Sequence, residues 1–343
     1  QDYFNTVLYS GDDGTQAITG VGFQPDWVWI KSRNHAYNHN TFDSVRGVNK
    51  VLLSNTTAAE DAGGAGDLNS FDTDGFTVRQ TGNYELSDSG KTYVAWNWKA
   101  GTAFSNDASA TGVGSIDSSG SVNTDVGFSI IGYTGNNTDG ATVAHGLGVV
   151  PSMIITKSRS AASSTGWMIK HKDLASNYNL ILNGNDAAWN PSSNGWVGDL
   201  NNTATFSLEN GGTNGNNANQ DTITYIAYCF AEVDGYSKFS SYVGNENADG
   251  TFVYTGFRPA FILIKKVAAG DWGIYDSKRL GYNDDNAVLY PAEAIAEGNE
   301  ASRKIDLLSN GFKLRTSNVT FNDDSTTVYM AFAEQPFKYS NAR

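Results

Sequence analysis

The segment GFQPDWVWIK at residues 22–31 returns as GVVPSMIITK at residues 148–157 and as GFRPAFILIK at residues 256–265. Each copy places a glycine and a proline before a run of apolar residues that ends in a lysine. Such runs between turn residues are typical of β-strands, and strands that are apolar on both faces lie between other layers. Because a recurring segment indicates a repeated structural unit, this segment predicts the architecture of the whole chain.

A closing motif supports the same repeat. It follows the anchoring proline by 68 to 74 residues in every copy, at residues 93–96 (YVAW), 225–228 (YIAY) and 329–332 (YMAF). Spacings that differ this little correspond to loop insertions. In this alignment Cys229 corresponds to Asn97 in the first copy and to Ala333 in the third.

The repeats predict an all-β fold of three tandem, related antiparallel β-sandwich-like modules with little helix. We place module 1 at residues 1–101, module 2 at residues 126–236 and module 3 at residues 237–343. Residues 102–125 are rich in Ser, Gly and Thr, which predicts a linker or an exposed hairpin. One helical turn is expected at residues 292–301, where Ala and Glu favour helix. Modules 2 and 3 follow each other directly, so we expect one rod or disc.

Composition excludes several classes of protein. Lys and Arg number 23 against 36 Asp and Glu, which gives a formal charge of −13 and argues against nucleic acid or an anionic membrane as partner. No run approaches the roughly 18 apolar residues of a membrane-spanning helix, so no membrane insertion is expected. Aromatic residues make up 12% of the chain, which excludes a disordered composition.

Catalytic motifs are missing from the sequence. Cys229 beside a histidine would suit nucleophilic catalysis, but its apolar strand and its counterparts in the other copies favour a small buried residue. The paired carboxylates of a glycosidase cannot be placed from the sequence, and no phosphate-binding loop or nucleophile elbow is present. We therefore predict that the protein is not an enzyme.

Two groups of residues suggest metal sites. His35, His39 and Asp43 suit a divalent metal, but the other copies have no matching histidines, which favours solvated or hydrogen-bonded side chains. Acidic turns suit calcium, although Asp and Asn also occur in turns for local backbone hydrogen bonding; they lie at residues 12–14, 72–75, 283–286 and 322–325. We predict no cofactor, with calcium as the alternative.

A mid-module element is the strongest candidate for binding. It combines aromatic residues with Asp and Arg, and module 2 keeps its tryptophan but lacks the Asp; the residues are Phe42, Asp43, Arg46, Trp167, Trp272, Asp276 and Arg279. Aromatic faces and Asp/Arg pairs suit a surface that binds a sugar or a protein partner. The alternative, which we favour, is a strand followed by a structural Asp–Arg pair.

Several sequence segments resemble those of a known protein family: GFQPDWVWIK at 22–31, YVAWNWKAG at 93–101, YIAYCF at 225–230, YTGFRPAF at 254–261 and AFAEQPFKYS at 331–340. The chain resembles a repeat domain of unknown function that is common in structural proteins of tailed bacteriophages, especially marine ones. The resemblance spans essentially the whole chain and implies a virion component such as a tail fibre, a spike or another surface-exposed protein. Module 2 departs most, with Gly146-Leu147-Gly148 in place of the Gly-Phe pattern.

These observations predict a non-enzymatic virion structural protein on the surface or tail of the particle. Its expected partners are other virion proteins and a host-surface glycan or protein receptor. A phage-borne polysaccharide-degrading enzyme and a secreted cellular lectin or adhesin are the alternatives. Phage fibres in general suggest a homotrimer, whereas three repeats in one chain suggest a pseudo-threefold unit.

Overall fold

The computed structural model describes residues 2–61, 67–80, 84–161, 166–190, 196–209, 218–279, 283, 287–298 and 300–336. Nearly all regular structure is antiparallel β-sheet, which confirms the predicted fold class. The module names are kept below for three consecutive stretches of chain. Their boundaries as separate domains stay a prediction.

The described part of module 1 has eight strands: β1 (Phe4–Ser10), β2 (Thr15–Thr19), β3 (Trp27–Ser32), β4 (Asn40–Asp43), β5 (Leu52–Leu53), β6 (Leu68–Asp72), β7 (Gly75–Arg79) and β8 (Thr92–Trp98). They form a sheet of order β1-β8-β3-β4-β5 and a smaller sheet of order β2-β7-β6. Strand β3, from the repeated segment, is buried at every residue because both of its faces are covered. Trp27 and Trp29 pack on one face, and Val28 and Ile30 pack against the smaller sheet on the other.

Module 2 repeats this plan and adds a hairpin to it. Its strands are β9 (Thr102–Asn106), β10 (Ser118–Asn123), β11 (Phe128–Thr134), β12 (Ala141–Ala144), β13 (Met153–Ser158), β14 (Trp167–His171), β15 (Leu180–Ile181), β16 (Trp196–Val197), β17 (Thr205–Glu209) and β18 (Thr224–Phe230). The sheets have the orders β15-β14-β13-β18-β11-β10-β9 and β12-β17-β16. Residues 102–125 thus hold two strands that extend the larger sheet, joined by the short helix α1 (Ala108–Thr111).

Module 3 contains β19 (Ser237–Val243), β20 (Phe252–Tyr254), β21 (Pro259–Lys266), β22 (Trp272–Asp276), a 3-10 turn (Ala301–Arg303), β23 (Ile305–Leu308), β24 (Gly311–Leu314), α2 (Val319–Asn322) and β25 (Thr326–Ala333). Its sheets have the orders β19-β25-β21-β22 and β20-β24-β23. The prediction of a helical turn at 292–301 was wrong: residues 292–298 and 300 are not helical, Gly298 bridges Val288, and only Ala301 belongs to the 3-10 turn that follows. Tertiary hydrogen bonds outweigh the modest helix propensity of Ala and Glu.

Strand pairing also corrects the alignment of module 3. Trp27 pairs with Trp98, Met153 with Phe230 and Phe261 with Phe332, so these closing-strand aromatics are equivalent. The residue equivalent to Cys229 is therefore Ala331 and not Ala333. A shift of two residues leaves each side chain on the same face of a strand, so the alternating pattern could not reveal the error.

The larger sheets of all three modules share one aromatic core. Trp27 stacks on Trp98 of its own module and on Tyr228 of module 2, with ring centroids 4.4 Å apart in both pairs. Phe332 of module 3 stacks on Phe4 of module 1 at 5.1 Å and meets Phe230 of module 2 at 6.1 Å. Each module also packs its smaller sheet against the outer face of the larger one. The three modules therefore surround a common centre.

Candidate functional site

The predicted binding residues lie in the interior. Each of the seven is at most 6% exposed to solvent; they are Phe42, Asp43, Arg46, Trp167, Trp272, Asp276 and Arg279. Phe42 packs in the core of module 1, while the other six lie where one module meets the next. We call these contacts the 1/2 joint, the 2/3 joint and the 3/1 joint. In this structure the residues contact other parts of the same chain, and their role in ligand binding stays a prediction.

The 1/2 joint is centred on the Asp43–Arg46 pair. The backbone N–H and the guanidinium Nε of Arg46 donate to the two carboxylate oxygens of Asp43, three residues earlier. The hydroxyl of Tyr228 in module 2 donates to Asp43 Oδ2 at 2.7 Å. A buried ion pair needs further hydrogen bonds to offset its desolvation, and Tyr228 supplies one from the neighbouring module.

Glu60 and Arg159 complete this joint. Arg159 of module 2 donates from Nε and Nη2 to the two carboxylate oxygens of Glu60, at 3.0 and 3.1 Å, and Glu60 also accepts from Arg46. The backbone N–H of Glu60 donates to the carbonyl oxygen of Arg159 at 2.8 Å. Burial alone would raise the pKa of Glu60, but the two guanidinium groups hold that pKa below its ordinary value. Glu60 is thus held as an anion between the modules.

The 3/1 joint has the same construction. Arg279 pairs with Asp276, and Trp96 Nε1 of module 1 donates to Asp276 Oδ2 at 3.0 Å. Arg33 of module 1 binds both carboxylate oxygens of Glu297, whose backbone N–H donates to the carbonyl oxygen of Arg33 at 2.8 Å. This joint connects the last module to the first, so the contacts close a ring within one chain.

The 2/3 joint replaces the charged set with uncharged side chains. At the equivalent positions His171 replaces the Asp, and Leu174 and Val267 replace the two Arg. Ala188 replaces the Glu, and Met330 replaces the hydrogen-bonding aromatic. The backbone contact persists, since Ala188 N–H donates to the carbonyl oxygen of Val267 at 2.7 Å. At these equivalent positions the side-chain chemistry differs, while the backbone hydrogen bond is shared by all three joints.

His171 makes two hydrogen bonds at the 2/3 joint. Its Nδ1 accepts from the backbone N–H of Asp173, so Nε2 carries the proton and donates to the carbonyl oxygen of Tyr329 in module 3 at 3.2 Å. Burial lowers the pKa of His171 to about 4. The imidazole is therefore neutral near neutral pH, as this hydrogen-bond arrangement requires.

The lysine that ends each repeated segment is fully buried. Lys157 donates to the carbonyl oxygen of Thr57 in module 1, and Lys265 donates to that of Asp186 in module 2. Lys31 donates to the carbonyl oxygens of Ser32 and His35. Burial lowers the pKa of Lys31 to about 7, and that of Lys157 and Lys265 to about 8. These backbone oxygens replace the water that each ammonium group loses.

Sequence reasoning missed Arg33, Glu60, Arg159 and Glu297. A signal existed for the arginines, because each follows the repeated lysine by two residues. Their carboxylate partners lie in loops of a neighbouring module, so no spacing within a module could identify them.

The other candidate residues have local partners. Cys229 is fully buried, as its apolar strand predicted, and burial raises the pKa of its thiol to about 12. His39 is also fully buried, and its Nδ1 accepts a hydrogen bond from Trp29 Nε1. The described residues contain no group of three or more His, Cys, Asp or Glu side chains that could hold a metal ion.

The acidic turns mostly bind nearby backbone groups. Asp12 accepts from the N–H of Gly14, and Asp74 accepts from the N–H groups of Gly20 and Gly22. Asp323 pairs with Lys266. Of the predicted turn at 283–286, residues 284–286 lie outside the described residues. Calcium binding at these turns stays a prediction.

An open groove of about 720 Å³ lies beside the 1/2 joint. The hairpin of residues 102–125 and strand β11 supply most of its lining. The other lining residues are Val45 of module 1 and Asn136, Arg159 and Thr224 of module 2. The lining is rich in Ser, Thr, Asn and Asp. Unlike the joints, this groove is accessible to a ligand.

A family model described as a domain of unknown function (DUF7483) matches residues 1–336. The chain belongs to the DUF7483 family. No curated protein and no solved structure matches it significantly. The DUF7483 match extends through all three modules. Within the described part of this DUF7483 chain, no helix is long and apolar enough to cross a membrane.

A double-mutant cycle will measure the coupling at the 1/2 joint. We expect Glu60→Ala and Arg159→Val each to lower the free energy of unfolding. The double variant, which copies Ala188 and Val267 of the 2/3 joint, should lose less than the sum, with a coupling of about 0.5 to 3 kcal/mol. Denaturant titration of the four proteins provides the measurement.

The control for this cycle is the pair Lys313 and Asp249, whose Asp side chain is 77% exposed. Its coupling should stay below about 1 kcal/mol, as for exposed ion pairs in general. If Glu60 and Arg159 prove additive within about 0.5 kcal/mol, they do not act as a joint.

The neutral His171 predicts a pH dependence of stability. The unfolded chain binds a proton at this side chain near pH 6.5, whereas the folded chain does so only near pH 4. Between these values the unfolded state holds more protons, so the free energy of unfolding falls as the pH falls, by up to about 1.4 kcal/mol per pH unit. Urea titrations should show a shallower decline for His171→Asn than for the natural protein. Equal slopes would contradict this role of His171.

Proposed function

We propose that this chain is a non-enzymatic structural protein of a tailed-phage virion, located at its surface or tail. In this proposal it contacts other virion proteins and presents its outer loops to a host-surface glycan or protein. The observation that carries the proposal is the closed ring of three modules around one core, which makes the chain a stiff body. The resemblance of its repeated segments to phage structural proteins supports a location in the virion.

Stiffness is supported by the nature of the joints. Domains within a chain move relative to one another by default, unless their interface is large and hydrophobic. Here the interface is an aromatic core, and each joint adds a backbone hydrogen bond, such as the one from Ala188 to Val267. A rigid body of this kind suits a particle surface, where a binding face must be held at a fixed orientation.

The use of the interior carboxylates supports a non-enzymatic role. Glu60 and Glu297 pair with an arginine of the neighbouring module. Asp43 and Asp276 pair with an arginine of their own module and accept a hydrogen bond from an aromatic residue of the next. A catalytic carboxylate has to face a cleft that substrate can enter. These four face neighbouring modules instead, where they connect one part of the fold to the next.

Three experiments test the proposal. Antibodies raised against the chain should label the source virus particle in electron micrographs, and label confined to the cytoplasm of infected cells would contradict a virion role. The purified chain should bind host cells and compete with virus adsorption. Its failure to do either would remove the host-binding part and leave a purely structural role. Release of reducing sugar from host polysaccharide by the chain would contradict the non-enzymatic part.

A further inference from the structure

The groove is built by a segment that the repeated fold does not need. Strands β1, β11 and β19 occupy the same position in the three modules, since each pairs with the closing strand of its module. Only β11 carries a further hairpin on its outer edge within the described part of the chain. Modules 1 and 3 form their sheets without such a hairpin, so the fold does not require it. We therefore look for a function of the hairpin in module 2.

The floor of the groove is a sheet face made of small side chains. Ser105, Ser119 and Gly132 lie opposite one another across three adjacent strands. Thr134, two residues beyond Gly132 on the same face, pairs with Thr224. Residues in register across a sheet share a face, so four hydroxyl groups surround a position that has no side chain. The gap above Gly132 gives the floor its depth.

The polar groups of this floor are available to a ligand. The hydroxyls of Ser105, Ser119, Thr134 and Thr224 make no hydrogen bond to any other described residue, and the first three residues are exposed. Asn136 accepts with its Oδ1 from Thr138, while its Nδ2 makes no such bond. Hydroxyl and amide groups both donate and accept, which matches a ligand rich in hydroxyl groups.

Charge at the rim disfavours an anionic ligand. Asp107 and Asp117 line the groove and are exposed, and each caps a backbone N–H of the hairpin. Arg159, the only cationic residue among the described residues of the lining, already binds Glu60 with its guanidinium. The chain as a whole has a charge of −13, so an acidic saccharide would meet a repulsive field.

The described residues of this lining offer no exposed apolar anchor for a peptide. Val45 is half-buried, while Ile116 and Tyr133 are buried, and Tyr133 donates its hydroxyl to the carbonyl oxygen of Ala218. Strand addition is excluded on β10 and β11, because the backbones of these strands are paired on both sides, whereas β9 forms the edge of the sheet. On the part of the floor that β10 and β11 form, a peptide therefore finds neither an apolar anchor nor an unpaired strand.

We propose that this groove is a binding site for a neutral oligosaccharide, held by the hydroxyl floor and the amide of Asn136. Its volume of about 720 Å³ lies within the range of small-ligand sites. The assignment of the sugar to a host surface rests on the function proposed above. Binding of the sugar itself does not depend on that function.

Gly132 allows a test that leaves the fold intact. A Cβ at Gly132 would have its nearest neighbours at 3.5 to 4.0 Å, which is ordinary contact. The same strand position holds Leu8 in module 1 and Ser241 in module 3, each opposite a valine of the closing strand. Gly132→Leu therefore fills the floor with a side chain that this position accepts. Ser241→Leu makes the matched change away from the groove.

The experiment titrates the full chain and both variants with named probes by calorimetry. The probes are hexasaccharides of glucose, galactose and mannose, and hexagalacturonate as the acidic counterpart. We expect at least one neutral probe to bind, with affinity at least tenfold lower in Gly132→Leu and unchanged in Ser241→Leu. The proposal is overturned if no neutral probe binds, if Gly132→Leu binds as well as the natural chain, or if hexagalacturonate binds more tightly.

Adsorption assays separate this proposal from the proposed function. If the natural chain and Gly132→Leu compete equally with virus adsorption, host binding stands and the groove is not its site. If neutral sugars bind in the groove but antibodies find no chain on the particle, the groove stands and the virion role fails. Thermal unfolding of both variants should match the natural protein, which verifies that loss of binding is not loss of fold.

Discussion

Burial of the inward sheet faces is the constraint on which the rest of the structure depends. Each larger sheet carries large apolar side chains on the face that points to the centre, among them Trp27, Tyr228 and Phe332. Removing such a side chain from water stabilises the fold by about 1.5 to 3 kcal/mol. A module by itself would expose this face. Three modules around one centre bury these large side chains. The joints between the modules must then accommodate the polar groups that lie beside the core.

The three joints solve that problem in two ways. Two of them bury a network of Asp, Arg and Glu with a hydrogen-bonding aromatic, whereas the third uses His171, Leu174, Ala188, Val267 and Met330. Removing one partner of a buried ion pair leaves an uncompensated charge, so the members of such a network have to be present or absent together. The differences between the joints follow this rule. The exposed groove is under no such constraint, and its hydroxyl groups face solvent.

The sequence predicted where the strands lie better than it predicted which residues of different modules contact one another. The repeated segment identified β3, β13 and β21 because a fully apolar run between turns has few alternatives. The Asp43–Arg46 pair was also visible as a structural pair three residues apart. Its third member, Tyr228, lies 185 residues away, and no spacing rule connects it. The closing strand of module 3 was misaligned because strands repeat every two residues. Residues 102–125 left two interpretations open because Ser, Gly and Thr occur in linkers and in exposed hairpins alike.

The central claim is that one chain closes into a ring instead of forming a row of modules. Small-angle X-ray scattering of the natural chain tests it most directly, because the two arrangements differ in radius of gyration. A compact body of 343 residues has a radius of gyration of about 20 Å, which is the predicted result for the monomeric chain. A value above roughly 25 Å for the monomer, as three compact modules in a row would give, would contradict the closed ring.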